Sequence, residues 1–248
     1  MIEIRGLRRR LGTKQVLDGV DLDVRKGETI VVMGRSGTGK SVLLKHVIGL
    51  MTPDEGSIRV DGVEIVGLRE RELNAVRRRF GMLFQGAALF DSLTVGENVA
   101  LPLREHTDLD RAEIARRVSE RLEWVGLAGV EDMKPASLSG GMKKRVGLAR
   151  AIAMDPDVVL YDEPTTGLDP IMADAIDRLI RGLQRRLGVT SVVVTHDMTS
   201  AFKVADRMAM LHDGRVVFTG TVDEARQTSD PLVRQFIEGT SEGPIRAL

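Results

Sequence analysis

The apolar run Glu28-Thr29-Ile30-Val31-Val32-Met33 ends in Gly34-Arg35-Ser36-Gly37-Thr38-Gly39-Lys40-Ser41 and continues into Val42-Leu43-Leu44-Lys45-His46-Val47-Ile48-Gly49-Leu50. A strand, a glycine-rich turn and a helix in that order restrict the fold more than any other stretch of the chain. The spacing is that of a phosphate-binding loop: glycines let the backbone wind tightly and aim successive N–H groups at phosphate oxygens, and the helix N-terminus adds positive potential. Lys40 would bridge the β- and γ-phosphates of a nucleotide. Ser41 would offer its hydroxyl to Mg²⁺, the ion that neutralises charge developing on a transferred phosphoryl group. A glycine-rich turn that binds nothing is the alternative, and the flanking elements weigh against it.

The 248 residues are enough for one large α/β domain or two small ones, and the 42% apolar content can fill a sizeable core. Lys plus Arg and Asp plus Glu both total 36, so the net charge is zero and gives no global electrostatic case for nucleic acid as a partner. The basic clusters Arg8-Arg9-Arg10, Arg77-Arg78-Arg79 and Lys143-Lys144-Arg145 read as solvated faces. With no cysteine, disulfides and thiolate metal sites are excluded. Met1-Ile2-Glu3-Ile4-Arg5 does not read as a signal peptide, and no apolar run approaches the ~18–20 residues needed to cross a bilayer. The expected location is the cytosol, with a partner required for any action at a membrane.

Along the chain, Ile2-Glu3-Ile4 and Gln15 to Val24 alternate as strands, and Lys26-Gly27 turns into the buried strand before the loop. Ser57–Val60 reads as a strand followed by an Asp61-Gly62 hairpin signal, residues 70–79 as a charged helix and Phe80–Phe84 as a strand. From about Glu97 to Gly126 the pattern is helical, with Ile114, Val118, Leu122 and Val125 spaced by three or four. Ser137–Met154 reads as a loop and helix, Asp157–Tyr161 as a buried strand, Ile171–Leu187 as a helix and Ser191–Thr195 as another buried strand. Arg207–Leu211 and Arg215–Thr219 flank an Asp213-Gly214 turn, and short helices near Val222–Gln227 and Pro231–Ile237 close the chain. Strands alternating with helices around a phosphate loop predict an α/β fold: a mostly parallel sheet core carrying an antiparallel β subdomain and a helical subdomain.

Asp162-Glu163-Pro164 follows a buried strand, which puts both carboxylates at the C-terminal end of a sheet, where α/β proteins place ligands. Asp162 would hold Mg²⁺, and Glu163 would take a proton from the attacking water, a role typically worth ~10²–10⁴ in rate. Acidic residues that merely start a turn before Pro164 are the alternative. Leu138-Ser139-Gly140-Gly141-Met142 precedes an amphipathic helix; alone it is a common cap, but ahead of a helix whose N-terminus faces an anion it gains weight.

Gly34–Ser41, Gln85, Leu138–Gly141, Val158–Glu163, Gly167-Leu168-Asp169 and Thr195-His196-Asp197 together resemble, in order and rough spacing, the motifs of ABC-type ATPases. The resemblance covers nearly the whole chain and implies a single P-loop ATPase domain over 1–248, a helical subdomain at about 97–154 with the Ser139 signature, and a tail at about 228–248. It implies ATP and Mg²⁺ as cofactors and a head-to-tail homodimer, each nucleotide held by the phosphate loop of one copy (Gly34, Arg35, Ser36, Gly37, Thr38, Gly39, Lys40, Ser41) and by Ser139, Gly140 and Gly141 of the other. It further implies that Gln85 touches Mg²⁺ or the attacking water, with the metal also held by Ser41 and Asp162. By the same resemblance His196 contacts the γ-phosphate and Asp169 couples the two sites. Without the resemblance, His196 is equally a structural histidine and Gln85 a surface amide. Two positions depart from the family pattern. No aromatic stands near Leu11 to stack on a purine, leaving Leu11, a nearby Arg or another residue to do so, and Met142 stands where glutamine is usual.

Residues Leu83–Phe90, Val95–Thr107, Met142 and Asp230–Gly239 are similar to the ATPase subunit of bacterial MCE (Mla-type) lipid transporters. That similarity implies two permease subunits, an MCE-type lipid-binding subunit reached through the complex, and a peripheral place on the cytoplasmic face of the inner membrane. It also implies a C-terminal segment reaching toward the neighbouring ATPase, with Phe236 as a large anchor. The tail could equally pack on its own domain, and the apolar loop Gly86–Phe90 could be either a docking surface or ordinary core. An importer for another solute, or a soluble ATPase acting on nucleic acid or ribosomes, are the competing functions.

Overall fold

The computed structural model describes residues 1–246; Ala247 and Leu248, the end of the expected tail, lie outside the described residues. The chain begins with β1 (Ile2–Leu11), β2 (Lys14–Val24), β3 (Thr29–Met33) and α1 (Lys40–Val47). It continues through β4 (Glu55–Val60), β5 (Val63–Glu64), α2 (Glu70–Arg77), β6 (Phe80–Leu83), α3 (Val95–His106), α4 (Arg111–Trp124) and α5 (Gly140–Ala151). The remaining elements are β7 (Val158–Asp162), α6 (Pro170–Leu187), β8 (Thr190–Thr195), α7 (Met198–Val204), β9 (Arg207–His212), β10 (Arg215–Thr221), α8 (Val222–Gln227) and α9 (Pro231–Glu238). They fall into two compact units, Met1–Leu68 with Val192–Leu248 and Arg69–Ser191, the division falling within β8.

In the first unit, an antiparallel sheet has the order β2-β1-β4-β5. Ile2 and Ile4 point inward while Glu3 and Arg5 face out, as a period of two demands. The register then slips between Ile4 and Leu7, so Leu7 rather than Gly6 is buried, and the strand runs on to Leu11. A bulge of this kind breaks the alternation without ending the strand, which is why the sequence pattern stops at Ile4. The second set of strands lies in the order β10-β9-β3-β8, with β3 parallel to β9 from Ile30↔Arg207 to Met33↔Met210. Every residue of β3 and β8 is buried, matching their continuous apolar runs. The expected Asp213-Gly214 turn joins β9 to β10, both residues having positive φ.

The C-terminal segment packs on this same unit. Val233 and Gln235 of α9 are buried and Phe236 is half-buried, and a buried polar side chain ties α9 to the residues that follow it. Gln235 does that: its Nε2 donates to Ile245 O (2.9 Å) and Thr240 O (3.2 Å), and its Oε1 accepts from Ile245 N (2.6 Å).

In the second unit β6 and β7 pair in parallel from Phe80↔Val158 to Leu83↔Tyr161. The helical stretch expected over 97–126 is two helices, because Thr107 ends α3 and the Asp110 carboxylate caps α4 by accepting from Glu113 N at 2.8 Å. α3 starts at Val95 through a reciprocal cap between Thr94 and Glu97. Val99, Leu103, Val118, Leu122, Val146 and Leu148 from α3, α4 and α5 form the apolar interior of this unit. Among the described residues no helix is long and apolar enough to cross a membrane.

Candidate nucleotide site

The phosphate loop is positioned by β3, whose last residue, Met33, is fully buried. Gly34 has φ +157°, and a Cβ there would stand 2.4 Å from the carbonyl oxygen of Leu211 on β9. Only glycine lets the loop leave the sheet so close to that strand. Lys40 Nζ donates to the carbonyls of Gly34 (2.8 Å) and Arg35 (3.0 Å), and Thr38 Oγ1 donates to Arg35 O (2.9 Å), so the loop is drawn around a buried ammonium. Helix α1 opens on Gly39 in a left-handed conformation, with no side-chain cap and no acidic residue in its first turn. With no side chain capping it, the start of α1 presents the positive end of the helix dipole to an anion, and with Lys40 beside it this end fits a triphosphate.

His196 follows β8 and is exposed, as a phosphate contact must be and a core histidine is not. The next residue, Asp197, caps α7 by accepting from Thr199 N (2.9 Å) and Ser200 N (3.3 Å). The seven-residue helix α7 was not marked by the sequence pattern. Arg35, Ser36 and His196 line a cavity of about 390 Å³ together with Gln235, Phe236 and Arg246 of the C-terminal segment. The Arg35 guanidinium donates to Arg246 O at 2.8 Å. A second cavity of about 390 Å³ on the loop is lined by Gln15, Val16, Thr38 and His212, and Leu11 is not among its lining residues. Val16 and His212 line it, and no sequence signal marked them.

In the second unit, Asp162 ends β7 and Glu163 follows it, both buried. Glu163 has φ +49°, a left-handed conformation unfavourable for a side chain with a Cβ. Thr166 holds it at both ends: Thr166 Oγ1 donates to Glu163 Oε2 (3.1 Å) and Thr166 N to Glu163 O (3.3 Å). Gln85 is exposed after β6. Lys144 of α5 donates to the backbone carbonyls of Gln85 and of Glu163, the latter at 3.2 Å. Burial pushes the Lys144 ammonium down from its ordinary range, while attraction to Asp162 and Glu163 opposes the fall.

The loop after Gln85 divides between the two readings open in the sequence. Ala87 is buried, and Phe90 is 53% exposed. Ser139 caps α5, its Oγ accepting from Met142 N at 3.2 Å, which leaves the hydroxyl proton free to be donated outward from an exposed position. Asp169 is also exposed, but its Oδ1 already accepts from Ile171 N and Met172 N (both 3.0 Å), so a local capping function accounts for it within one chain. No group of three or more His, Cys, Asp or Glu able to enclose a metal occurs among the described residues. Mg²⁺ in phosphoryl transfer needs no such cage, since one or two protein oxygens complete a shell otherwise made of water and phosphate.

The sequence pattern described as "ABC transporter" matches residues 17–166. The chain is 44% identical to the intermembrane phospholipid transport system ATP-binding protein MlaF of Haemophilus influenzae over 99% of its own length and 93% of that protein. It is 43% identical to a probable ribonucleotide transport ATP-binding protein, mkl, of Mycobacterium leprae, over 98% of its length and 70% of that protein. A dimeric ATP-binding cassette in a post-hydrolysis state bound to ADP and Pi superposes with a TM-score of 0.82 at 34% identity, covering 90% of this chain and 99% of that one.

Proposed function

The chain belongs to the ABC transporter family, and on that premise we propose that it is the ATP-hydrolysing subunit of a transporter that moves phospholipid or a related lipid between membranes. The observation that carries the ATPase half is the uncapped start of α1 with the buried Lys40 at its foot, a preformed seat for a triphosphate. The similarity to the phospholipid transport protein over almost its entire length supports the cargo. The similarity to the mycobacterial protein supports a second reading, a transporter of ribonucleotides or another solute.

In the favoured reading residues 1–248 act as one ATPase domain, with the helical subdomain at about 97–154 and the tail at about 228–248. The first-turn amides of α1 and Lys40 bind the phosphates, and Ser41, Gln85 and Asp162 would hold Mg²⁺, which neutralises charge on the transferred phosphoryl group. Glu163 accepts the proton of the attacking water, and His196 contacts the γ-phosphate. Ser139, Gly140 and Gly141 of a second copy complete the site, with Asp169 coupling the two. Two permease subunits hold the dimer at the cytoplasmic face of the inner membrane, and an MCE-type lipid-binding subunit joins through them.

Glu163→Gln tests the hydrolytic assignment. It should bind ATP, turn over at least ~10²-fold more slowly and accumulate as a dimer; wild-type turnover would remove Glu163 from its role. Purification of the native complex separates the two cargo readings, since bound phospholipid supports the first and bound nucleotide cargo the second.

A further inference from the structure

Helix α5 carries more than the signature at its N-terminus. One face of it grips the loop that follows β6. Lys144 donates to Gln85 O, and Arg150, one turn and a half further on, donates to Ala88 O (2.8 Å) and Ala87 O (2.7 Å). Between them Gly147 allows the close approach, because a Cβ there would meet Leu83 Cδ1 at 2.8 Å and Ala87 Cβ at 3.2 Å. Ala87 and Ala88 both have positive φ, so the loop is held in a backbone conformation that unsupported alanines rarely adopt. Arg150 supports that end of the loop. Lys144, only 6% exposed, supports the other and reaches past it to Glu163 O.

Glu163 is the third residue here with a left-handed backbone, and its carbonyl orientation is set by that conformation. A flip toward ordinary φ would turn the carbonyl away from Lys144 and swing the carboxylate with it. We propose that Lys144 is a positioning residue for ATP hydrolysis, its ammonium tying the Gln85 and Glu163 backbones to the signature helix so that the two side chains are presented together. The inference rests on the assignment of Glu163 and Gln85 to hydrolysis made above. Lys144 acts through the two residues whose carbonyls it holds. An ammonium suits the task, since it donates three hydrogen bonds and can serve two acceptors at once.

Steady-state ATPase kinetics of the full chain in its native complex, with Lys144→Met, Lys144→Arg and Glu163→Gln, test this. Lys144→Met keeps the length and burial of the side chain but cannot donate; it should lower kcat at least tenfold while KM for ATP moves less than twofold. Lys144→Arg, which still donates, should recover most of the loss. Adding Lys144→Met to Glu163→Gln should lower turnover by a smaller factor than Lys144→Met alone, because part of its effect passes through Glu163. An unchanged kcat in the folded Met variant, or a loss that Arg does not relieve and that raises KM in step, would overturn the proposal. If the Met variant is unfolded by circular dichroism, Lys144→Ala replaces it under the same criteria, and unfolding of both would make the residue structural and the proposal wrong. A Glu163→Gln chain with wild-type turnover would instead refute the hydrolytic assignment, whatever the Lys144 variants do.

Discussion

Gly34 and Gly37 stand three positions apart in one loop and answer to different constraints. A Cβ on Gly34 would run into Leu211 O at 2.4 Å, whereas nothing lies within 4 Å of one on Gly37, whose φ of +77° is the sole obstacle. Gly37→Ala should therefore cost about 1–2 kcal/mol, the price of a left-handed alanine. Gly34→Ala should cost about 3 kcal/mol or more, because β9 and the loop must separate, and should remove ATP binding. Urea unfolding and nucleotide titration check both; equal effects would mean that the contact with β9 yields. The loop was legible because its glycines, Lys40 and Ser41 are close in sequence. The reason Gly34 tolerates no substitution was not, because Leu211 lies far along the chain and only the β3–β9 pairing brings it near. The same holds for Lys144 and Arg150: a basic cluster and a helix-end arginine look like solvated charge until the fold puts carbonyls in front of them.

At the level of elements, the periodic signals found the long helices and the buried strands, and local chemistry moved their ends. Asp110 divides the helical stretch expected from about Glu97 to Gly126 into two helices, and a register slip lengthened β1 beyond its alternating part. Neither effect changes hydrophobic spacing enough to be seen in it. A third device is Asn98, fully buried on α3, which closes the end of the loop after β6. Its Oδ1 accepts from Phe90 N (2.8 Å), and its Nδ2 donates to Phe90 O (3.1 Å) and Thr94 O (2.9 Å). Thus the exposed Phe90 ring stands on backbone fixed by a buried amide, a rigid mount of the kind that a docking side chain needs. Asn98→Ala leaves those buried groups without partners, which should cost about 1–3 kcal/mol. If the loop docks a permease, the variant should also weaken copurification of that subunit more than its loss of stability explains; undiminished assembly of a destabilised chain would confine Asn98 to a structural role.

For the whole molecule, the tail was open to two readings, a reach toward the neighbouring ATPase or packing on its own domain. Within one chain, through residue 246, it turns back onto its own first unit, where Gln235 pairs with both backbone polar groups of Ile245 and Arg35 holds Arg246 O. The glutamine was unreadable as an anchor, since a polar residue beside Phe236 looks like the solvent face of a helix; its burial follows from the backbone groups of 240–245 that need partners. The same segment forms one wall of the cavity containing Arg35, Ser36 and His196. A deletion and a point substitution separate what α9 does from what the strap of residues 240–246 does. Removal of residues 231–248 takes away α9 with the buried Val233 and should lower Tm and weaken dimer or permease assembly. Gln235→Ala keeps the helix and releases only the strap; it should cost about 1–3 kcal/mol, because the Ile245 N–H and C=O lose their partner. If assembly depends on α9, the point variant assembles normally and the deletion does not. If both fail alike in size-exclusion and pull-down measurements, the terminal segment is the part that matters, and its place against Arg35 is then the arrangement from which assembly starts.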